Sequence, residues 1–129
     1  WPTRGNVLLD YSMDSTIYFP TLEQYKCNPG LVIQSEVSTP VYAPAAAMVL
    51  EAGNNEEIGD YLVLDLGNDY TVTCGQLKEI TAVQGEYLEA GQLLGYVAEP
   101  TKYYTIEGSN LFLEMRHGDK TVDPLDYLE

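Results

Sequence analysis

Histidine is nearly absent from this sequence: one imidazole, His117, in 129 residues. Zinc hydrolases and many acid–base hydrolases draw on two or more imidazoles as ligands or proton shuttles, so catalysis of those kinds starts from a deficit. Positive charge is scarce as well. Six Lys and Arg stand against 20 Asp and Glu, a formal net charge of -14. That excludes the phosphate neutralisation a nucleic acid demands and the basic patches an anionic membrane attracts. No apolar run approaches the roughly 20 residues of a membrane helix, and no signal-peptide charge pattern stands at Trp1. Cys27 and Cys74 are too few for a disulfide framework in a chain long enough to build its own core. One bridge, two buried thiols acting as small hydrophobes, or a soft-metal pair all remain open, although no third metal ligand is evident.

The sequence is 45% hydrophobic, too apolar for an acidic disordered tail, and a chain of this length buries roughly two-thirds of its unfolded surface. One globular domain is expected. Residues 1-27 differ in texture from the rest, with polar and aromatic residues mixed without period around Tyr11–Phe19 and a break at Pro20. They read as an N-terminal arm, with a helical turn over Thr21–Lys26. Beyond it, β-branched and aromatic residues recur in short runs bounded by Gly, Asn, Asp and Pro, which predicts strands. The candidates are Leu31–Gln34, Thr39–Ala43, Ala47–Ala52, Gly59–Leu66, Tyr70–Leu77, Gln92–Tyr96 and Leu111–Met115. Asn68-Asp69 and Gly53-Asn54-Asn55 read as hairpin turns, because these residues tolerate left-handed backbone. Asp123 followed by Pro124 reads as the N-cap and first position of a short C-terminal helical turn. The fold class is all-β, a sandwich or barrel. Two stretches, Thr39–Leu50 and Gly85–Val97, share one logic of a turn feeding a short strand of small residues, suggesting two related halves.

Three stretches carry a resemblance in their order and spacing: Thr39-Pro40-Val41-Tyr42-Ala43, Gly91-Gln92-Leu93-Leu94-Gly95, and Val122-Asp123-Pro124-Leu125 with Tyr127-Leu128. Over about residues 28-129 the chain resembles the LytM or lysostaphin-type zinc endopeptidases. The resemblance implies a β-sandwich of the duplicated hybrid motif and an ancestral site built from three motifs. Against the family's His-x-Gly-x-Asp, whose ends bind zinc, this chain has Asn28-Pro29-Gly30-Leu31-Val32. A strand-end catalytic His before Leu is matched by Gln76. His-Leu-His, one catalytic residue and one ligand, is matched by Asn110-Leu111-Phe112. Asn28, Val32, Gln76, Asn110 and Phe112 are therefore the candidate groove residues. Val32 and Phe112 have no lone pair for a metal and Asn28 is a poor neutral ligand. Gln76 and Asn110 donate hydrogen bonds but shuttle no proton near neutral pH. No metal, no cofactor and no hydrolysis are expected.

His117, in Met115-Arg116-His117-Gly118-Asp119, reads as a solvated turn residue beyond the last strand. If the family fold holds, Cys74 shares a strand face with Gln76. Eleven tyrosines against two phenylalanines suit either an interface, dry at one end and wet at the other, or strands with one solvated face. The run Asn6–Asp14 together with Pro100–Tyr104 is similar to a sporulation branch of the family. That implies the extracytoplasmic ectodomain of a single-pass membrane protein, binding an envelope protein partner, which the charge suggests is basic. Peptidoglycan is a possible second ligand. The competing class is an active zinc metalloendopeptidase cutting peptidoglycan cross-links with unusual ligands. A biotinyl or lipoyl carrier needs a lysine at the Pro44–Met48 turn, where there is none, and a related phosphotransfer domain needs a pair of histidines.

Overall fold

A computed structural model describes residues 7–22, 24–104 and 107–127, apart from the side chains of residues 14–16, 25 and 26. Trp1, Asn6 and Leu128, used in the sequence reading, lie outside the described residues. The elements are strands β1 (Val7–Leu9), β2 (Ser12–Phe19), β3 (Gln24–Asn28), β4 (Leu31–Gln34), β5 (Pro40–Tyr42), β6 (Ala47–Asn55), β7 (Gly59–Gly67), β8 (Tyr70–Lys78), β9 (Tyr87–Leu88), β10 (Leu93–Val97), β11 (Asn110–His117) and β12 (Lys120–Val122). One 3-10 turn follows at Pro124–Asp126, where Asp123 caps it by accepting from Leu125 N at 3.0 Å. The fold is all-β, as the pattern of short runs predicts.

Strands β1-β4-β11-β8-β7-β6-β9 lie side by side, β10 pairs with both β8 and β5, and β12 adds to β11. β5, β9 and β10 close over the sheet: Val41, Leu88, Leu94 and Val97 meet Leu31, Leu62, Val72, Cys74, Leu111 and Leu113 in one buried cluster. The two stretches with shared logic pair with each other, Val41 opposite Gly95 and Ala47 opposite Leu88. Gly95 is small for a reason. A Cβ there would sit 3.0 Å from Lys78 O.

Three local readings need correction. Thr21–Lys26 is not a helical turn: a turn at Pro20–Leu22 leads into β3, which pairs with β2 as a separate two-stranded sheet. Gly53–Asn55 is not a turn either, since those residues extend β6 and the chain reverses at Glu56–Ile58. There the Asn55 carboxamide accepts from Glu57 N and Ile58 N at 3.0 and 2.8 Å, which fixes the turn later than Gly53 suggested. His117 is the last residue of β11 rather than beyond it, and its ring stacks on Tyr70 at 4.2 Å. Asn68 and Asp69 do form the β7–β8 turn, both with positive φ.

Candidate functional site

The sandwich's central strands bring the family-matched positions together. In the β4–β11–β8 ladder Val32 lies opposite Phe112, and Phe112 opposite Gly75. Asn28, at the end of β3, joins Phe112 in lining a cavity of about 240 Å³, with Phe19, Ile58 and Tyr104 also in its wall. Val32, Phe112, Leu9, Phe19, Ile58 and Tyr104 form a second apolar cluster distinct from the main core. Burying side chains of this size contributes about 1.5–3 kcal/mol each. The Phe112 ring reaches the backbone of the β3–β4 link because residue 30 is glycine: a Cβ there would meet two ring carbons at 2.8 Å. In effect a phenyl ring plugs the centre of the groove.

Zinc in a hydrolytic site needs about three N, O or S ligands and one open position. Val32 and Phe112 offer carbon only. The Asn28 amide is already committed, its Nδ2 donating to Asp10 O at 2.8 Å and its Oδ1 accepting from Gly30 N at 3.3 Å. Among the described residues no group of three or more His, Cys, Asp and Glu is placed to hold a metal. The side chains present do not fit zinc, and no chemical step runs through one.

The other two candidates are also occupied. Gln76 and Asn110 are 1% and 0% exposed. Gln76 Nε2 donates to Asn110 Oδ1, Asn110 Nδ2 donates to Gly108 O at 2.7 Å, and Gln76 Oε1 accepts from Thr101 N at 3.0 Å. The pair is closed on itself, and it ties Thr101 and Gly108 to the sheet. Buried amides linked in this way are hydrogen-bonded to protein, not presented to a ligand.

Gln76 reaches that position through a backbone irregularity. Between Asp60↔Leu77 and Leu62↔Cys74 the β7–β8 register slips, and Gln76 has φ +60. The extra residue is a β-bulge, which re-aims a side chain and breaks the two-residue alternation. Cys74 therefore does not share a face with Gln76, contrary to the simple alternation. Cys74 points into the main core with Leu77, while Gln76 lies with Asn110 on the groove side.

Both thiols are free. Cys27 is half-buried, with Sγ 3.6 Å from Met13 O. Burial pushes the Cys74 thiol up from 9.0 to about 12. The folded state holds that thiol protonated while the unfolded chain's thiol ionises from about pH 9. Its contribution to stability is thus complete below pH 9 and is lost as the pH rises toward 12. The expected result is a steeper alkaline fall in the urea midpoint for the wild type than for Cys74→Ala, and at pH 8 labelling by a thiol reagent at Cys27 alone until the chain is unfolded.

Sequence reasoning missed Phe19, Ile58, Thr101, Tyr104 and Glu107. Glu107 clamps the β2–β3 turn, accepting from Thr21 N at 2.9 Å and Thr21 Oγ1 at 3.0 Å. Tyr104 is 2% exposed; burial first, then the nearby Glu57 and Glu107 carboxylates, holds its hydroxyl above the usual tyrosine range. The adjacent aromatics at Tyr103-Tyr104 were the available signal, and they resolve into one half-buried and one buried ring.

The model for Peptidase family M23 matches residues 26–124. "Uncharacterized lipoprotein YgeR" of Escherichia coli (strain K12) is 25% identical over 129 residues, covering 99% of this chain and 46% of that protein. The chain spans less than half the length of the curated relatives it matches. Of solved structures, one of the SpoIIIAH and SpoIIQ complex superposes with a TM-score of 0.82 at 16% identity, covering 99% of this chain and 98% of that one. A zinc-containing peptidase from Vibrio cholerae gives 0.79 at 18% identity, covering 95% and 37%. At such identities the likeness concerns the fold.

Proposed function

The chain belongs to peptidase family M23, and from that premise we propose that it is a member that binds rather than cuts, a non-hydrolytic module of a cell-envelope complex. The observation that supports this reading is the apolar pair Phe112 and Val32, opposite each other across β11 and β4 and buried in one cluster; in this reading they stand at the family's zinc-ligand positions and offer carbon only. Gln76 and Asn110, which this reading matches to the family's catalytic positions, are spent on each other and on Thr101 and Gly108. A groove without metal-activated water has no nucleophile, whereas association needs none.

Lipoproteins among the relatives and a SpoIIQ structure solved with SpoIIIAH support an extracytoplasmic setting and a protein partner. In this reading the chain is the ectodomain of a membrane-anchored protein serving a sporulation complex, and its partner is basic. The same reading takes residues 1-27 as an arm beside a degenerate LytM-like domain of residues 28-129, with Phe19 supplying one wall of the groove.

Metal analysis of protein purified without chelator is expected to find well under one zinc per chain. The thermal midpoint should be unchanged by chelator, and purified peptidoglycan should release no soluble fragments on incubation. Stoichiometric zinc with cross-link cleavage would return the chain to the active endopeptidases.

A further inference from the structure

The end of the sandwich opposite the plugged groove carries a second, differently built surface. Tyr70 opens β8 six residues before Gln76, which at about 3.3 Å per residue separates the two by about 20 Å. Tyr70, Tyr127, Leu66, Met115 and Pro44 wall a cavity of about 210 Å³. Beside it lies a trough of about 420 Å³ carrying Asp65, Asp69 and Asp119. Gly67 and Asn68, at the β7–β8 turn, belong to both.

The rings are held in place without help. His117 lies parallel to Tyr70 at 4.2 Å and 8°, Tyr127 is tilted against it at 5.1 Å, and the two tyrosine hydroxyls are 3.4 Å apart. Tyr127 still has 47% of its surface open. Preset aromatic surface of this kind is what anchors a partner side chain at low entropic cost. Among the described residues no Lys or Arg lines either hollow. The nearest cation by register, Arg116 opposite Thr71, has its Nε on Glu114 at 2.9 Å. Lys120 pairs opposite His117 on the outer strand β12.

We propose that this end of the sandwich docks an extended segment of a basic partner protein, seating one apolar side chain in the tyrosine pocket and a neighbouring Lys or Arg over Asp65, Asp69 and Asp119. Charge complementarity selects the partner. A chain of net charge -14 repels anionic polymers, and three carboxylates beside an aromatic hollow pair an attractive field with a shape-specific anchor. The inference rests on the association reading for its partner class, but it stands on its own residues. Should the peptide below fail to bind while the zinc and hydrolysis results stay negative, only the docking site falls.

The test is an NMR titration of the isotope-labelled protein with an acetylated, amidated Gly-Lys-Trp-Lys-Gly peptide. Saturable shifts are expected at the amides of Gly67, Asn68, Thr71 and Gly118. Affinity should fall about tenfold in Asp69→Asn/Asp119→Asn, and again at high salt, as it does for charge-steered contacts. Asparagine keeps the left-handed backbone at position 69, so the unfolding midpoint should hold. Tyr127→Ala should lose binding, as should a peptide with Ala for Trp. The proposal is overturned by absence of shifts at millimolar peptide, by shifts confined to Phe19 and Tyr104, or by unchanged affinity in the double variant. It is equally overturned if an N-acetylglucosamine tetramer moves the same amides and the peptide does not, which would make the surface a glycan site.

Discussion

Phe112→Ala is expected to lose about 3–5 kcal/mol of stability, the range for removing a buried phenyl ring. The ring is 7% exposed, packs against Val32, Ile58, Phe19 and Tyr104, and closes over Gly30. Its removal joins the vacated volume to a cavity already about 240 Å³ in size, so little collapse is available to soften the loss. Phe112→Leu should cost visibly less, because branched carbon still fills part of the space. Urea denaturation read by far-UV circular dichroism measures both. A loss below about 1 kcal/mol for the alanine variant would mean that the ring is a lid on an open groove and not a plug.

The Gln76–Asn110 pair should behave as a unit in a double-mutant cycle. Gln76→Ala strands Asn110 Oδ1 and Thr101 N; Asn110→Ala strands Gln76 Nε2 and Gly108 O. Each stranded buried group costs about 1–3 kcal/mol beyond the hydrogen bond itself. Once one amide is gone, removing the other still strands Thr101 N or Gly108 O but no longer strands its partner amide, so the double variant should be more stable than the sum of the singles by about 0.5–3 kcal/mol. Strict additivity in the cycle would show that the two amides are independently solvated. An active groove would need those same groups free to meet a substrate, so a large coupling energy also measures how firmly they are withheld.

The strands that alternate or run apolar between turn residues were legible from the sequence, as Leu31–Gln34 and Tyr70–Lys78 illustrate. Positions that obey long-range demands were not. Gln24–Asn28 holds Lys, Asn and Gln, poor strand formers, and becomes a strand because Ser12–Phe19 pairs with it. Tyr87–Leu88 is too short for any periodic signal and is defined only by Ala47 and Met48 across the ladder. The candidate site was half legible. Motif positions located Asn28, Val32 and Phe112, which the fold does bring to one place, because identity at a few positions needs no knowledge of packing. The bulge at Gln76 was hidden, since two-residue alternation has no term for an extra residue, and Tyr104, in a loop, and Phe19, at the end of β2, reach the site by an approach only the folded chain sets.

The separate β2–β3 sheet has a consequence for motion. Among the described residues no strand of the ten-stranded sheet pairs with it; the hairpin is held through Phe19, Ile17 and Leu22 at the second cluster and through Glu107 on Thr21. Backbone ladders open only with the sheet they belong to, whereas side-chain docking can let go locally. The hairpin is therefore expected to release amide protons to solvent while β7, β8 and β11 stay protected, and the cluster around Phe112 and Phe19 is the latch between these two parts of the domain.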